Sequence, residues 1–367
     1  MQPDLTIARD QGDEVLLPTP LFLDAAPWHH WSLPVARRLA EKLSQRGVLV
    51  SALQRELGDP QSATVDSKGK RVSKLHDVAA VTDRAGGGHW RMLPYRSERY
   101  GLQAVDLDLG HVIDLQLSVV RDSSGRFAYS AERLSRLEVT PDGQPLSGGS
   151  WVPAMTLPPD LGRLEDLPKK LLQLRQLSPR AAVVVSTGPE SLHQTLAPLL
   201  AARPDALLIR LDHLHMNGLS LVSLFLKIKD QVRQHGPTPL WLTLPQPLGP
   251  PHSHAVAYSD GSEGYDPASV ADDAVKMLVL GAAAVAIDHW LQPLYPAIAQ
   301  VPPPSQYASN SLTVLDQTLE ALLADTIDPM IQRFVSVLAS RQPGGPADAL
   351  ATTDPEWAEV TGVRCLP

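Results

Sequence analysis

The chain has 367 residues, among them 34 Pro and 24 Gly, with 43% hydrophobic and 20% charged residues and a formal net charge of −8. That length fits one large domain or two small ones, and the apolar fraction suffices for a sizeable core, which excludes wholesale disorder. A pI near 5.8 argues against a nucleic-acid partner, because neutralising phosphates takes a surplus of Lys and Arg on one face.

The basic cluster Lys68, Lys70, Arg71 and Lys74 stands in a polar stretch and reads as a solvated loop. Cys365 is the single cysteine, so an intrachain disulfide, a cysteine zinc site and a cysteine-held iron–sulfur cluster are excluded. A reducing, cytoplasmic setting is the consistent expectation. Met1–Asp13 carries Asp4, Asp10 and Asp13 against Arg9 and lacks the apolar stretch of a secretory signal. The run Met277–Ile287, interrupted by Gly281, is far shorter than the roughly 20 residues that span a bilayer, and no membrane partner is expected.

From Pro20 onward, short apolar runs alternate with helical patterns, the signature of a parallel sheet with crossover helices. Pro20–Ala25 reads as a first strand. Ser32 is placed to cap a helix with Pro34 in its first turn, Val35, Leu39 and Leu43 on one stripe, and Gly47 closing it. Val48–Ala52 is a second strand. A polar, aperiodic excursion or lid follows over about 54–91.

Gln103–Leu109 reads as a third strand. Val112–Val119, with its polar alternation and the Asp122–Gly125 turn, reads as part of a β-hairpin insertion over about 110–150. Further strands are expected at Trp151–Leu157, Ala182–Ser186, Ala206–Leu211, Leu240–Leu244 and Ala284–Asp288. Helical patterns separate them at about 164–176, 190–202, 219–235 and 268–280. The last has Asp266 as cap, Pro267 at its first position and Gly281 after its end.

Leaving out the hairpin gives eight strands, each followed by a helix or long loop, which fits an α/β fold of the (β/α)8 TIM type. A doubly wound open sheet is the competing architecture. A single barrel is expected over 1–338, its last helix at about 312–338, with a loose extension over 339–367.

Several segments carry a resemblance in the right order. PLFLDAAPWHHWS (Pro20–Ser32), YRSERYGLQ (Tyr95–Gln103), MTLPPDLGRLEDLPKKL (Met155–Leu171), DALLIRLDHLHMNG (Asp205–Gly218) and VADDAVKMLVLGAAAVAIDHWL (Val270–Leu291) resemble the FMN-binding barrel of glutamate synthases and their relatives. The resemblance implies a (β/α)8 barrel, and in the active family an FMN site at the carboxyl ends of the strands.

The departures fall at the site text. Pro245–Gln246–Pro247 replaces the family's Gly pair after the seventh strand, and Pro has no N–H to offer a phosphate. Asp288–His289 replaces Gly-Thr at the end of the eighth. Two like unit charges about 4 Å apart cost about 4 kcal/mol at an effective dielectric near 20, so a carboxylate there opposes a phosphate dianion. Ala26–Pro27–Trp28–His29 replaces the small-residue turn beneath the flavin, and Val185 or Ser186 the family's Lys. The QGAKPG segment has no counterpart after Leu109. Neither do the cysteines of the family's 3Fe–4S centre or a glutaminase segment with its N-terminal Cys, position 2 being Gln2.

The strand ends also carry His29, His30, Asp212, His213, His215, His252, His254, Asp288 and His289, which a barrel gathers on one face. Satisfied or exposed histidines are the expectation, with no resident metal. The alternative metal ligands are His213, His215, His252 and His254. Asp212 and His213 as a base and its orienting partner are disfavoured, because neighbours on a strand point to opposite faces. GGGH at Gly86–His89 lacks the strand–helix context of a dinucleotide loop and reads as a turn.

The expected function is that of a degenerate glutamate synthase-like barrel without flavin or Fe–S chemistry, a non-catalytic subunit pairing with itself or with an active homologous subunit. One alternative is an FMN-dependent oxidoreductase acting on a small amino or imino compound, with Ala25, Trp28, Ser186, Asp212, Asp288 and His289 nearest the cofactor. Another is a metal-dependent hydrolase or lyase, with Asp212, His213, Asp288 and His289 as catalytic candidates.

Overall fold

A computed structural model describes residues 5–8, 14–24, 31–52, 63–65, 71–73, 90–95, 104–107, 110–117, 128–129, 152–153, 157–158, 160–212, 214, 218–244, 267–301, 311–340 and 350–366. Eight strands close a barrel: β1 (Leu21–Leu23), β2 (Leu49–Ser51), β3 (Arg91–Tyr95), β4 (Val112–Gln116), β5 (Ala182–Thr187), β6 (Ala206–Arg210), β7 (Leu240–Thr243) and β8 (Ala284–Ala286). Each pairs in parallel with the next, and β8 closes on β1 through Val285–Leu21 and Ala286–Phe22.

Both faces of a barrel strand are covered, so the strand text is continuously apolar, as in the fully buried β5 and β6. Strand alternation sorts their side chains into two cores. Phe22, Leu49, Met92, Val112, Ala182, Val184, Leu208 and Trp241 fill the lumen, while Val183, Val185, Leu207 and Ile209 face the helices. Phe22 and Trp241 meet in the lumen at 5.3 Å between ring centroids.

An antiparallel hairpin, Leu5–Ala8 with Glu14–Leu17, adds Ile7, Val15 and Leu17 to the lumen core. Its exposed–buried alternation leaves Glu14 and Leu16 outside and matches a one-sided strand.

Around the barrel run α1 (Leu33–Gln45), α2 (Leu167–Leu177), α3 (Pro189–Ala201), α4 (Gly218–His235), α5 (Pro267–Leu280) and α6 (Ser311–Ser340). In α1 the stripe Val35, Leu39 and Leu43 is buried as the spacing demands. Ser32 stands at its N-cap, yet its Oγ has no hydrogen-bond partner, so Pro34 rather than a side-chain cap fixes the start. Gly47 follows with φ +83°, the left-handed exit expected of glycine.

Along α6 the buried residues Leu315, Leu319, Leu323, Ile327, Met330 and Phe334 recur every three to four positions. Ion pairs from Arg46 to Asp328 (2.5 Å) and Glu320 (2.6 Å) dock this helix on α1, and Arg333–Asp272 (2.9 Å) docks it on α5. Lys229 of α4 donates to the Leu280 carbonyl at 2.5 Å and closes the end of α5.

Three expectations are corrected. The third barrel strand is Arg91–Tyr95, and the Gln103–Leu109 segment instead contains the short helix Ala104–Leu107. The fourth is Val112–Gln116, placed by its sequence in an inserted hairpin, while Val152–Pro153 pairs antiparallel with Ala128–Tyr129 outside the barrel. The polar alternation of β4 arises because Asp114 faces the lumen, where an arginine meets it. Residues 350–366, expected within a loose extension, form a strand–helix–strand unit: Ala351–Thr352 pairs in parallel with Arg364–Cys365 around α7 (Pro355–Thr361). Asp354 caps α7 by accepting from the Glu356 and Trp357 amides. Trp357, Leu350 and Val363 line a cavity of about 500 Å³ together with Val222, Met277 and Leu280.

The aperiodic excursion contains the hairpin Ala63–Val65 with Arg71–Ser73. Asp266 and the Asp122–Gly125 turn lie outside the described residues.

Candidate functional site

In a parallel barrel every strand delivers its carboxyl end to one face. Asp24 follows β1, Asp114 and Gln116 lie on β4, Ser186 on β5, Arg210 ends β6 with Asp212 just beyond it, Thr243 ends β7, and Asp288 and His289 follow β8. Arg210, Asp114 and Asp24 are all buried, with 4%, 0% and 5% exposure. Such charges persist in an interior only when paired and hydrogen-bonded.

They are paired here. Arg210 Nη2 donates to Asp24 Oδ1 at 3.0 Å and to Asp114 Oδ2 at 2.6 Å, and Nη1 donates to Asp24 Oδ2. Gln116 Nε2 donates to the same Asp114 oxygen at 2.7 Å. The triad crosses the lumen from β1 to β4 by way of β6. Burial alone would lower the Arg210 pKa, but the charges of Asp24 and Asp114 outweigh it and hold the guanidinium protonated. Burial raises the Asp114 pKa, the Arg210 charge opposes that rise and the Asp24 charge adds to it.

Around the triad, Asp288 accepts from the Asp24 amide through both carboxylate oxygens, at 3.2 and 3.1 Å, tying β8 to β1. The exposed Asp212 accepts from Thr243 Oγ1 at 2.7 Å, while that hydroxyl accepts from the Leu211 amide at 3.0 Å, tying β6 to β7. His289 is buried and its pKa falls to about 4, so the ring is neutral near pH 7. The Ser186 hydroxyl on the neighbouring strand also hydrogen-bonds Asp114 and favours its carboxylate form, while Arg210 Nε is buried without a hydrogen-bond partner among the described residues.

Of the expected site residues, Ser186, Asp212, Asp288 and His289 share this end of the barrel. Ala25, Trp28, His29, His30, His213, His215, His252 and His254 lie outside the described residues. Among the described residues, no group of three or more His, Cys, Asp and Glu could hold a metal ion. Asp24, Asp114, Gln116, Arg210 and Thr243 were not anticipated. Their signal was a polar or charged residue inside an otherwise apolar strand, as in FLD, VIDLQ and ALLIR.

An FMN phosphate needs N–H donors and positive charge. The described strand ends offer Arg210, whose Nη atoms are bonded to Asp24 and Asp114, facing the carboxylates Asp24, Asp114, Asp212 and Asp288. These residues do not fit the phosphate of FMN.

Fold and site together define a TIM-type (β/α)8 barrel with a carboxylate-rich mouth cross-linked by a buried arginine. No protein-family profile matches the chain, and no curated protein does. Among solved structures, a mandelate oxidase variant with a C4a-hydroxy-FMN adduct is 14% identical with a TM-score of 0.40, covering 90% of this chain and 80% of that one. Tryptophan synthase from M. tuberculosis is 11% identical with a TM-score of 0.35, covering 82% and 90%. A xylanase from Cellvibrio japonicus is 11% identical with a TM-score of 0.37, covering 68% and 80%. Among the described residues, no helix is long and apolar enough to cross a membrane.

Proposed function

We propose that the chain is a degenerate glutamate synthase-like barrel that does not use flavin or Fe–S chemistry and works in the cytoplasm as a non-catalytic subunit, paired with itself or with an active homologous subunit. One observation carries the reading. The Asp288 carboxylate stands at the end of β8, bonded to the Asp24 amide beside the Asp24–Arg210–Asp114 triad. A phosphate brought there meets like charge at a cost of about 4 kcal/mol per close pair.

The test is a fluorescence titration of FMN into the wild-type protein and Asp288→Gly, with the association state followed by light scattering. The reading expects no saturable FMN binding by wild type and self-association or capture of a homologous barrel. Stoichiometric FMN binding by wild type, tightened by Asp288→Gly, contradicts it and turns the site to a second reading. That reading, an FMN-dependent oxidoreductase acting on a small amino or imino compound, is favoured by the buried Arg210 Nε, an N–H donor without a hydrogen-bond partner at this end of the barrel.

A further inference from the structure

Outside the barrel, α4, α5 and the 350–366 unit border a cavity of about 500 Å³ that shares no residue with the mouth. That volume falls within the roughly 300–1,000 Å³ of small-molecule sites. Its α5 wall is a single helix face, because Asp273, Lys276, Met277 and Leu280 stand at spacings of i, i+3, i+4 and i+7. The α7 wall is built the same way, from Asp354 at the N-cap, Trp357 and Thr361. Each helix therefore brings both a charged and an apolar surface to the cavity. Met277 and Leu280 are buried, and Trp357 is half-buried against the cluster to which they belong.

The charges restrict what fits. Lys276 and Asp354 are exposed and stand at the solvent side of the cavity. Lys276 Nζ pairs with Asp273 Oδ1 at 2.8 Å, and an ammonium has three N–H donors, so it can serve a second acceptor. Asp354 caps α7 through Oδ1, which accepts from the Glu356 and Trp357 amides, and Oδ2 takes no part in the cap. An apolar anion meets the carboxylates of Asp273 and Asp354, and an apolar cation meets Lys276; a ligand bearing both charges is complementary to both. The Trp357 indole and the Met277 thioether favour an aromatic ring as its apolar part. We propose that this cavity binds a free aromatic amino acid as its zwitterion, with the carboxylate toward Lys276, the ammonium toward Asp354 and the ring against Met277 and Trp357. Such a ligand bridges α5 and the 350–366 unit. The inference goes beyond the reading of the mouth and does not depend on it.

Isothermal titration calorimetry on the full chain tests it with L-phenylalanine, 3-phenylpropionate, phenethylamine and glycine in separate runs. The second compound lacks the ammonium, the third the carboxylate and the fourth the ring. Lys276→Met and Asp354→Asn are the variants, since the first keeps an apolar stem and the second keeps a capping oxygen. Both are first checked for an unchanged thermal unfolding midpoint. Saturable L-phenylalanine binding is expected, weakened about three- to tenfold by each variant, with the two single-charge analogues about tenfold weaker on the wild-type chain. Glycine should show no saturable binding. Absence of saturable L-phenylalanine binding overturns the inference. So does binding that either variant leaves unchanged, or binding of 3-phenylpropionate, phenethylamine or glycine as tight as that of L-phenylalanine. The analogue series uses the wild-type chain alone and decides the outcome even where a variant disturbs folding.

Discussion

Arg210 is the residue on which the upper lumen depends, because its guanidinium balances two carboxylates that have no access to water. Replacing one member of a buried ionic network leaves uncompensated charge and is expected to cost about 3–5 kcal/mol. Arg210→Met should show that loss in denaturant unfolding, and adding Asp24→Asn and Asp114→Asn should recover most of it. His289 supplies the clearest pH dependence. Its pKa is lowered from 6.5 to about 4 by burial, so the unfolded chain takes up a proton that the folded chain refuses. Its contribution is complete above the unfolded value and is lost as pH falls toward the folded one, by about 3 kcal/mol over that interval. His289→Leu should flatten that part of the stability–pH curve. Asp288 and His289 were legible as site residues because they stand after a recognisable apolar strand. Asp24, Asp114 and Arg210 were not, because sequence alone does not show that three charges far apart in the chain meet in one lumen.

At the scale of elements, helices and most strands could be read in order because their stripes and apolar runs are local. The failures were β3 and β4. Arg91–Tyr95 contains Pro94 and follows GGGH, so its text resembles a loop, and the barrel places it by pairing with β2 and β4. Val112–Gln116 alternates like a half-exposed strand, but tertiary pairing with Arg210 buries its polar face. The junction between α1 and β2 shows a local rule holding. Gly47 has φ +83°, and a Cβ there would come within 3.0 Å of Pro18 Cβ and 3.1 Å of Thr19 Cγ2. Gly47→Ala therefore combines a left-handed backbone with a tight contact and should lower stability by about 1–3 kcal/mol, read as a drop in unfolding midpoint.

For the whole molecule, the barrel architecture followed from alternation of strand and helix, whereas the site depends on loops and on long-range pairs. The N-terminal hairpin adds to the lumen core, α6 is fastened to α1 and α5 by ion pairs, and the 350–366 unit packs beside α4 and α5. A frame so connected can be retained while its mouth changes chemistry, since packing and site occupy different residues. The central claim is that this mouth, lined by Asp24, Asp114, Asp212 and Asp288 around Arg210, holds no flavin. The most direct measurement is the visible absorption spectrum of the protein purified without added cofactor, repeated after incubation with FMN and removal of the excess. The account predicts a colourless protein in both states; flavin absorption retained at stoichiometric level would contradict it.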